Sequence, residues 1–289
     1  MTKQYTAIVG FVARNESTYI VECVLHNLIV GFERIVVGLH DCTDDTREKL
    51  EKLQGVFPDK IDFFDVTKTN NVRYGVEHAW WQYECYHEIY HRYRDKAGWL
   101  GFFDVDECFW HRGGKSVTEV LTALSPTVGQ VILFWLNFGG SNRMFSVPDD
   151  STRYQWFNCY VKPVREQQAQ IKPIVRLSSI SPEINTADWY GIHRCYLKPE
   201  YTSIFCTGQE VQRIGIVTQP NATVDKHDMV LTHYMTGSME DYVRRAKLRT
   251  WRQSQDVHYF FAHNTPYQDS RMMIYHEEML RLKEMVLSK

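Results

Sequence analysis

The 289-residue chain lacks the features that mark several specialised classes of protein. It has no apolar run near the roughly 18 residues that span a bilayer, so no transmembrane helix is predicted. Its formal net charge of −2 gives no overall attraction for nucleic acid or for an anionic membrane. It also lacks internal repeats, low-complexity segments and an evident interdomain linker. With 44% hydrophobic and 24% charged residues, the composition is that of an ordinary globular enzyme.

Cysteine is sparse and scattered. The seven cysteines include no Cys-x-x-Cys pair, which disfavours both a zinc site and a disulfide framework. An odd number of scattered cysteines fits a reducing compartment better than secretion. The short apolar stretch at 7–13 runs directly into Arg14-Asn15-Glu16 and does not resemble a signal peptide. We therefore expect a cytoplasmic protein.

The most informative stretch joins an aromatic run to three acids, Trp99-Leu-Gly-Phe-Phe-Asp104-Val-Asp106-Glu107. The aromatic run predicts a buried strand, and alternation along it would place Asp104 and Asp106 on one face. Adjacent carboxylates repel unless a cation lies between them. The pair therefore suggests a site for Mg²⁺ or Mn²⁺ and a nucleotide diphosphate. Solvated acids at a strand end are the alternative, because Asp-x-Asp alone is a weak signal.

The segments before this stretch alternate between strand and helix patterns. Strands are predicted at 5–13, 33–39 and 61–66, and helices at 18–30, 43–53 and 75–94. This order implies a parallel sheet with right-handed crossovers. Ligands of such sheets bind outside the carboxyl ends of the strands, where Asn15, Asp41 and Asp104 would gather.

The second half of the chain predicts further strands and two helices. Strands are expected at 131–138, 172–180 and 190–197, and helices from Ser238 onward and at 270–289. The loop at 181–193 carries acids, aromatics and a histidine, which suits either a sugar-binding site or an ordinary surface loop. The Arg- and Lys-rich face after Ser238 is either solvated or directed at an anionic ligand.

Several motifs occur in a characteristic order. They are Val12-Ala-Arg-Asn15-Glu16, Gly31-Phe-Glu-Arg-Ile-Val-Val, Asp41-Cys-Thr-Asp44, Phe103-Asp104-Val-Asp106-Glu107, Phe134-Trp-Leu-Asn-Phe-Gly-Gly140 and Thr232-His233-Tyr234. Their order and spacing resemble the GT-A glycosyltransferases, most closely the group around glycosyltransferase families 2 and 92. The resemblance covers about residues 5 to 250.

This resemblance implies an α/β fold of the GT-A type, with a mixed, mainly parallel sheet flanked by helices and a C-terminal helical extension. Residues 1–237 would form the glycosyltransferase domain, with a nucleotide-binding half to about residue 112 and an acceptor half from about 113. Residues 238–289 would form the extension.

The implied activity is metal-dependent transfer of a hexose from a nucleotide-sugar, such as a UDP-hexose, to a hydroxyl of a glycan or lipid-linked saccharide. Inversion and a role in surface polysaccharide or glycan synthesis are expected, with no nucleic-acid partner. The basic C-terminal helix could make peripheral contact with the inner face of the membrane. A non-catalytic nucleotide-sugar- or glycan-binding protein and a metal-dependent phosphohydrolase are the alternatives.

The resemblance also assigns residues to roles. Asp104, Asp106 and His233 would bind Mn²⁺ or Mg²⁺, with Asp106 the more direct ligand and Asp104 nearer the ribose. Imidazole slightly favours Mn²⁺. The expected nucleotide-sugar contacts are Asn15, Glu16, Asp41, Arg73, Asp104 and Lys247.

Two roles remain open at the level of sequence. The group often has lysine where this chain has Gly237, so the charge of the diphosphate would fall on the metal, Lys247 or Arg244. The loop at 181–193 would contribute to the acceptor-sugar site. Asp188 in this loop is the first choice for the catalytic base, with Glu183 and Asp150 as alternatives.

Overall fold

The computed structural model describes residues 4–66, 80–161, 168–181, 193–211, 217–220, 224–248 and 257–288. The strands are β1 (Tyr5–Ala13), β2 (Arg34–Leu39), β3 (Ile61–Asp65), β4 (Ala97–Phe102), β5 (Glu107–His111), β6 (Val128–Phe138), β7 (Gln168–Arg176), β8 (Thr202–Phe205), β9 (Val217–Pro220) and β10 (Met229–Tyr234). The α-helices are α1 (Ile20–Ile29), α2 (Thr46–Val56), α3 (Trp80–Tyr93), α4 (Val117–Thr122), α5 (Arg153–Trp156), α6 (Met239–Leu248), α7 (Val257–Ala262) and α8 (His276–Leu287).

The strands form one mixed sheet in the order β3-β2-β1-β4-β7-β6-β10-β5, with β8 beside β6 and β9 beside β7. β1 pairs in parallel with β2 and β4, and β6 pairs in parallel with β10. β7 runs antiparallel to both β4 and β6, so those two strands point the same way. The carboxyl ends of β1, β2, β4, β6 and β10 therefore meet at one edge. This arrangement confirms the predicted α/β class.

The strands carry apolar residues on both faces of the sheet, and helices cover both faces and bury these residues. On one face, Ile20 and Val24 of α1 pack with Phe11 and Val37 in a core that extends to Met279 of α8. On the other face, Tyr86 and Ile89 of α3 pack against alternate strand residues such as Ile8, Val36 and Leu100. Within the described ranges, no helix is both long and apolar enough to cross a membrane.

The acidic stretch departs from the expected alternation of Asp104 and Asp106 along one strand. β4 ends at Phe102, and Asp104 and Asp106 lie in the turn that leads into β5. The Glu107 Oε2 accepts the backbone N–H of Asp104 at 2.9 Å, and the Asp104 carbonyl accepts that of Glu107 at 3.0 Å. These hydrogen bonds satisfy backbone groups that a continuing strand would have paired with a neighbour.

Three other predicted segments differ from the structure. The segment predicted as a strand at 172–180 divides into β7 and a 3₁₀ turn at Leu177–Ser179. The segment predicted as a strand at 190–197 is irregular over its described residues 193–197, where Leu197 forms an isolated bridge to Ile180. The terminal helix also begins later than expected, because a 3₁₀ segment at Arg271–Tyr275 precedes α8.

The C-terminal segment packs tightly against earlier parts of the chain. A Cβ on Gly139 would lie 1.9 Å from the carbonyl oxygen of His263, so this position admits only glycine. On α8, Lys283 donates to the Ser151 carbonyl at 2.7 Å and lies 4.0 Å from Glu22 of α1. The described residues 257–288 therefore pack against the rest of the described chain.

Candidate active site

The candidate site lies at the sheet edge where the parallel strands end. Asn15 follows β1, Asp41 follows β2, and Asp104 follows β4. Asn137 and His233 stand near the ends of β6 and β10, where they are direct register partners. The topology thus brings together residues far apart in sequence, as the sequence predicted for the carboxyl edge.

Two turns at this edge adopt left-handed backbone conformations. Asn15 has φ 53° and Asp41 has φ 47°, a region that Asn and Asp enter more readily than other side chains. The Asn15 Oδ1 accepts the backbone N–H of Thr43 at 2.7 Å, which ties the two turns together. Asp41 is exposed, so its carboxylate is accessible to a ligand. Its Oδ2 lies 3.4 Å from Nε2 of His40.

Glu16 and Arg244 border the same turns. The backbone N–H of Glu16 donates to Thr46 Oγ1 at 3.0 Å, which links the turn after β1 to the start of α2. Arg244 Nη1 donates to the Asn15 carbonyl at 2.6 Å. Lys247, predicted as a diphosphate ligand, is exposed on α6. Its predicted contact with the donor stays a prediction.

Asp104 is held by two side chains from opposite sides. Gln82 of α3 donates to its Oδ1 at 2.6 Å, and Lys172 of β7 donates to its Oδ2 at 2.9 Å. Burial is the largest single influence on this carboxyl and opposes its ionisation, but the charge and the hydrogen bond of Lys172, with a contribution from His233, together keep the pKa of Asp104 below its ordinary value. Asp104 is therefore an ionised acceptor with a fixed orientation.

Lys172 also lies 3.6 Å from Glu107 Oε1, although both side chains are fully buried. Burial raises the pKa of Glu107 well above its usual range. Burial also favours loss of the proton from Lys172, but the neighbouring Asp104 and Glu107 raise its pKa above the ordinary value. Lys172 is therefore a permanent positive charge beneath the acidic turn.

Asp106 contacts two groups from the C-terminal half of the chain. Its Oδ2 accepts from Nη1 of Arg245 at 3.0 Å, and its Oδ1 lies 3.7 Å from Nε2 of His233. All three side chains are buried. The pair Asp106 and His233 was predicted from the resemblance, whereas Arg245 was not.

The orientation of His233 is fixed by its neighbours. Its Nδ1 lies 3.1 Å from the amide oxygen of Asn137, and its ring packs against Trp135 with centroids 4.1 Å apart. Because that oxygen can only accept, Nδ1 carries the proton of the neutral ring and the Nε2 lone pair faces Asp106. Burial lowers the pKa of His233 to about 4, although Asp106 acts to raise it, so the ring is neutral at pH 7.

Asp106 and His233 are arranged so that they could supply two of the ligands of a divalent cation. A lone pair facing a carboxylate oxygen is unfavourable without a cation, and imidazole nitrogen and carboxylate oxygen are both competent ligands of Mn²⁺. No cluster of three His, Cys, Asp or Glu side chains with metal-site geometry occurs in the described part of the chain. Sites for Mg²⁺ and phosphate commonly use one or two carboxylates and leave the other positions to phosphate and water. Asp106 and His233 fit such a site.

The structure places the remaining predicted residues as follows. Asp150 is exposed in a loop that contacts α8 through the Ser151 carbonyl. Arg73, Glu183 and Asp188 lie outside the described residues. His193, which directly follows the segment containing Asp188, donates through Nδ1 to the Ile171 carbonyl at 2.7 Å. Its ring lies 5.9 Å from that of Trp135, so the end of the predicted acceptor loop borders the site.

Sequence reasoning missed Lys172 and Arg245. Lys172 carried a signal, because a lysine between Ile171 and the apolar residues that follow it is unusual in a buried strand and implies a partner carboxylate. Arg245 carried a weaker signal. It lies four residues after Asp241 in the predicted helix, a spacing that by itself indicates only an ordinary charge pair on one helix face.

Comparison with known proteins gives one family. The sequence model of glycosyltransferase family 92 matches residues 9–280, which is most of the chain and includes every site residue described above. No curated protein matches the chain.

Proposed function

The chain belongs to glycosyltransferase family 92, and on that basis we propose that it transfers a hexose from a UDP-hexose to a glycan hydroxyl. The observation that carries the finer proposal is the proximity of Asp106 and His233, with Nε2 of His233 3.7 Å from Oδ1 of Asp106. An enzyme that separates a sugar from a diphosphate must stabilise negative charge on the leaving group. A cation-binding pair beside the turns that border the site meets that requirement.

The donor would lie along the carboxyl edge. The exposed carboxylate of Asp41 can accept an N–H of the base, and Asn15 and Glu16 border the same turn. Asp104, held ionised by Lys172 and Gln82, would accept a ribose hydroxyl. Because the Asp104 carboxylate is already fixed in orientation, it would lose little side-chain freedom when it binds the ribose, which favours binding of the donor.

Asp106 and His233 would hold Mn²⁺ or Mg²⁺. A bound divalent cation supplies positive charge that stabilises the departing diphosphate. The neutral state of His233 suits this role, because an imidazole must be unprotonated to bind a metal. Asp104 remains a candidate ligand, although both of its oxygens already accept hydrogen bonds from Gln82 and Lys172.

In the transfer itself, the acceptor oxygen forms a bond to the anomeric carbon as the bond from that carbon to the diphosphate breaks. A base receives the hydroxyl proton from the face opposite the leaving group, which inverts the configuration. We assign this base to Asp188, with Glu183 and Asp150 as alternatives. The position of His193 beside Trp135 supports an acceptor loop at the site.

The acceptor proposed here is a glycan or a lipid-linked saccharide, in surface polysaccharide or glycan synthesis. The cytoplasmic location and the contact of the basic C-terminal helix with the inner membrane face belong to the same proposal. A phosphohydrolase would normally need more clustered His and Asp ligands than the described residues provide. A non-catalytic sugar-binding protein would bind the same donor without turnover.

The test is release of UDP from a set of UDP-hexoses, with and without saccharide acceptors, in Mn²⁺ or in EDTA. We expect release that needs Mn²⁺, increases with the correct acceptor and is lost in Asp106→Asn. Asp95→Asn, a change at an exposed carboxylate on the loop after α3, is the matched control and should retain activity. Donor binding without turnover would instead indicate a binding protein. Full activity after thorough chelation would contradict metal dependence.

A further inference from the structure

Arg245 occupies the carboxylate that the proposed cation needs. Its Nη1 lies 3.0 Å from Asp106 Oδ2, and only 5% of the residue is exposed. The buried Nε has no hydrogen-bond acceptor within the described part of the chain. Arg245 therefore keeps an unused donor beside the site while it neutralises Asp106.

The position of Arg245 is fixed by the first turn of α6. Ser238 Oγ accepts the N–H of Asp241 at 3.1 Å, and Asp241 Oδ2 accepts the N–H of Ser238 at 3.0 Å. Tyr19 donates to the same carboxylate, and Ser146 Oγ donates to its Oδ1 at 2.8 Å. Since Arg245 lies one helical turn beyond Asp241, this anchored turn delivers its guanidinium to Asp106.

A guanidinium and a divalent cation at one carboxylate repel each other. Both charges would be buried, where screening by water is weak and repulsion between them is strong. A diphosphate removes the conflict, because its negative charges attract both the cation and the guanidinium. Guanidinium groups also pair well with phosphate oxygens through several N–H donors, and the Nε of Arg245 is available for such a bond.

We propose that Arg245 makes cation binding at Asp106 and His233 depend on the nucleotide diphosphate. Without the diphosphate, Arg245 pairs with Asp106 and opposes the cation. With the diphosphate, Arg245 contacts its oxygens and the cation binds Asp106. The inference rests on the proposed function, and it names Arg245 as the residue that couples the two ligands.

The test measures Mn²⁺ affinity with and without saturating UDP by electron paramagnetic resonance, and UDP affinity with and without Mn²⁺ by calorimetry. The variants are Arg245→Met, which removes the charge, and Arg245→Lys, which retains it. Arg281→Met is the control, because it removes one arginine from an exposed pair with Glu278 on α8. Thermal unfolding of each variant establishes that it is folded.

In the wild type and in Arg281→Met, UDP should raise Mn²⁺ affinity, and Mn²⁺ should raise UDP affinity by the same factor, about 5- to 150-fold. In Arg245→Met, Mn²⁺ alone should bind about tenfold more tightly and the coupling factor should fall to about one, with Arg245→Lys retaining most of it. Pyrophosphate should reproduce the effect of UDP, and uridine should not.

Several results would overturn the inference. If Mn²⁺ binds the wild type equally well with and without UDP, the inference is wrong, and no variant is needed to show it. If the wild type turns over UDP-hexose and folded Arg245→Met shows unchanged coupling between Mn²⁺ and UDP, the coupling role of Arg245 is wrong and the proposed function stands. Absence of both Mn²⁺ and UDP binding in the wild type overturns the proposed function and the inference together.

Discussion

The ammonium group of Lys172 lies 2.9 Å from the Oδ2 of Asp104, and the lysine has no exposed surface. A buried lysine is tolerated only when carboxylates compensate its charge. Here the compensation also serves the site, because the same contact orients Asp104 and keeps it ionised. The acidic turn therefore depends on a strand that lies nearly seventy residues later in the sequence.

Replacement of Lys172 by methionine should destabilise the protein strongly. Loss of the buried ammonium leaves the Asp104 carboxylate without its partner, which typically costs about 3–5 kcal/mol for a buried ion pair. The measurement is chemical denaturation at pH 7. Lys198→Met, which removes an amine bonded to the Ser178 carbonyl near the surface, should cost under about 1 kcal/mol. Equal stabilities of the two variants would show that Lys172 is not compensating buried charge.

The buried His26 should make stability depend on pH. Its Nε2 donates to the Phe109 carbonyl at 2.9 Å, and its Nδ1 lies 2.7 Å from the Tyr154 hydroxyl, which can donate to it. Burial is the main cause that lowers its pKa to about 3. Between about pH 6.5 and 3 the unfolded chain binds a proton that the folded chain does not, so the free energy of unfolding falls as pH falls.

This contribution has a maximum slope of about 1.4 kcal/mol per pH unit. In His26→Gln the slope between pH 6.5 and 4 should be reduced, as measured by urea denaturation at several pH values. His91→Gln, a change on the exposed face of α3, should keep the wild-type slope. An unaltered pH dependence in His26→Gln would refute the assignment.

Asn137 should tune the proposed cation site without belonging to it. Its amide oxygen fixes Nδ1 of His233 at 3.1 Å and thereby directs Nε2 to Asp106. Removal of such an orienting partner typically lowers metal affinity about 10- to 100-fold. We expect Asn137→Ala to lie in that range for Mn²⁺ in the presence of UDP. His233→Ala should lose the stabilisation by UDP and Mn²⁺ altogether, as followed by thermal unfolding.

The His233→Ala variant also distinguishes a metal-binding histidine from one that only packs in the core. If His233 were only a packing residue, His233→Ala would lower the stability of the metal-free protein and leave the shift caused by UDP and Mn²⁺ intact. That result would remove His233 from the cation site.

Asp41→Asn should weaken nucleotide binding and leave the fold intact. Asparagine is the appropriate substitution because Asp41 has φ 47°, which asparagine tolerates better than alanine. Loss of the charged acceptor should cost about 1–3 kcal/mol in UDP affinity by calorimetry. Asp59→Asn, at an exposed residue before β3, is the control. Wild-type affinity in Asp41→Asn would exclude recognition of the base by this carboxylate.

Asp188→Asn should slow transfer by about 10²–10⁴, the usual contribution of a general base, with little change in UDP-sugar affinity. Asparagine keeps the shape of the side chain and removes its basicity. Glu183→Gln and Asp150→Asn serve as comparisons. Loss of activity in one of these, with Asp188→Asn near the wild type, would move the base to that residue.

The sequence predicted β1, β2 and β3 to within one residue at each end because each is a short run rich in apolar residues bounded by turn residues, whereas β5 (Glu107–His111) was not predicted. β1 has the predicted bounds Tyr5–Ala13. The gathering of Asn15, Asp41 and Asp104 at one edge followed from the parallel order of these strands. The turn at Asp104 was not predicted, because it depends on a hydrogen bond from its own backbone N–H to the side chain of Glu107.

The partners of the acidic residues could not be predicted for a different reason. Whether a basic helix face is solvated or directed at a carboxylate depends on how the helix packs, which periodicity does not reveal. Three neighbouring basic residues of α6 illustrate this. Arg244 contacts Asn15, Arg245 contacts Asp106, and Lys247 is exposed. The contact between Lys172 and Asp104 could not be predicted without knowing that β7 lies between β4 and β6 in the sheet.

The contacts between the two ends of the chain have a consequence for biosynthesis. Tyr19 is hydrogen-bonded to Asp241, and Arg244 to Asn15, across more than two hundred residues. Pairings of such high contact order form late, after the intervening loop has closed. On the ribosome, the first half can build its sheet early, whereas Asp106 must wait for Arg245 to be translated. We therefore expect an incomplete nascent chain to expose unneutralised acids, and the site to assemble as one of the last events of folding.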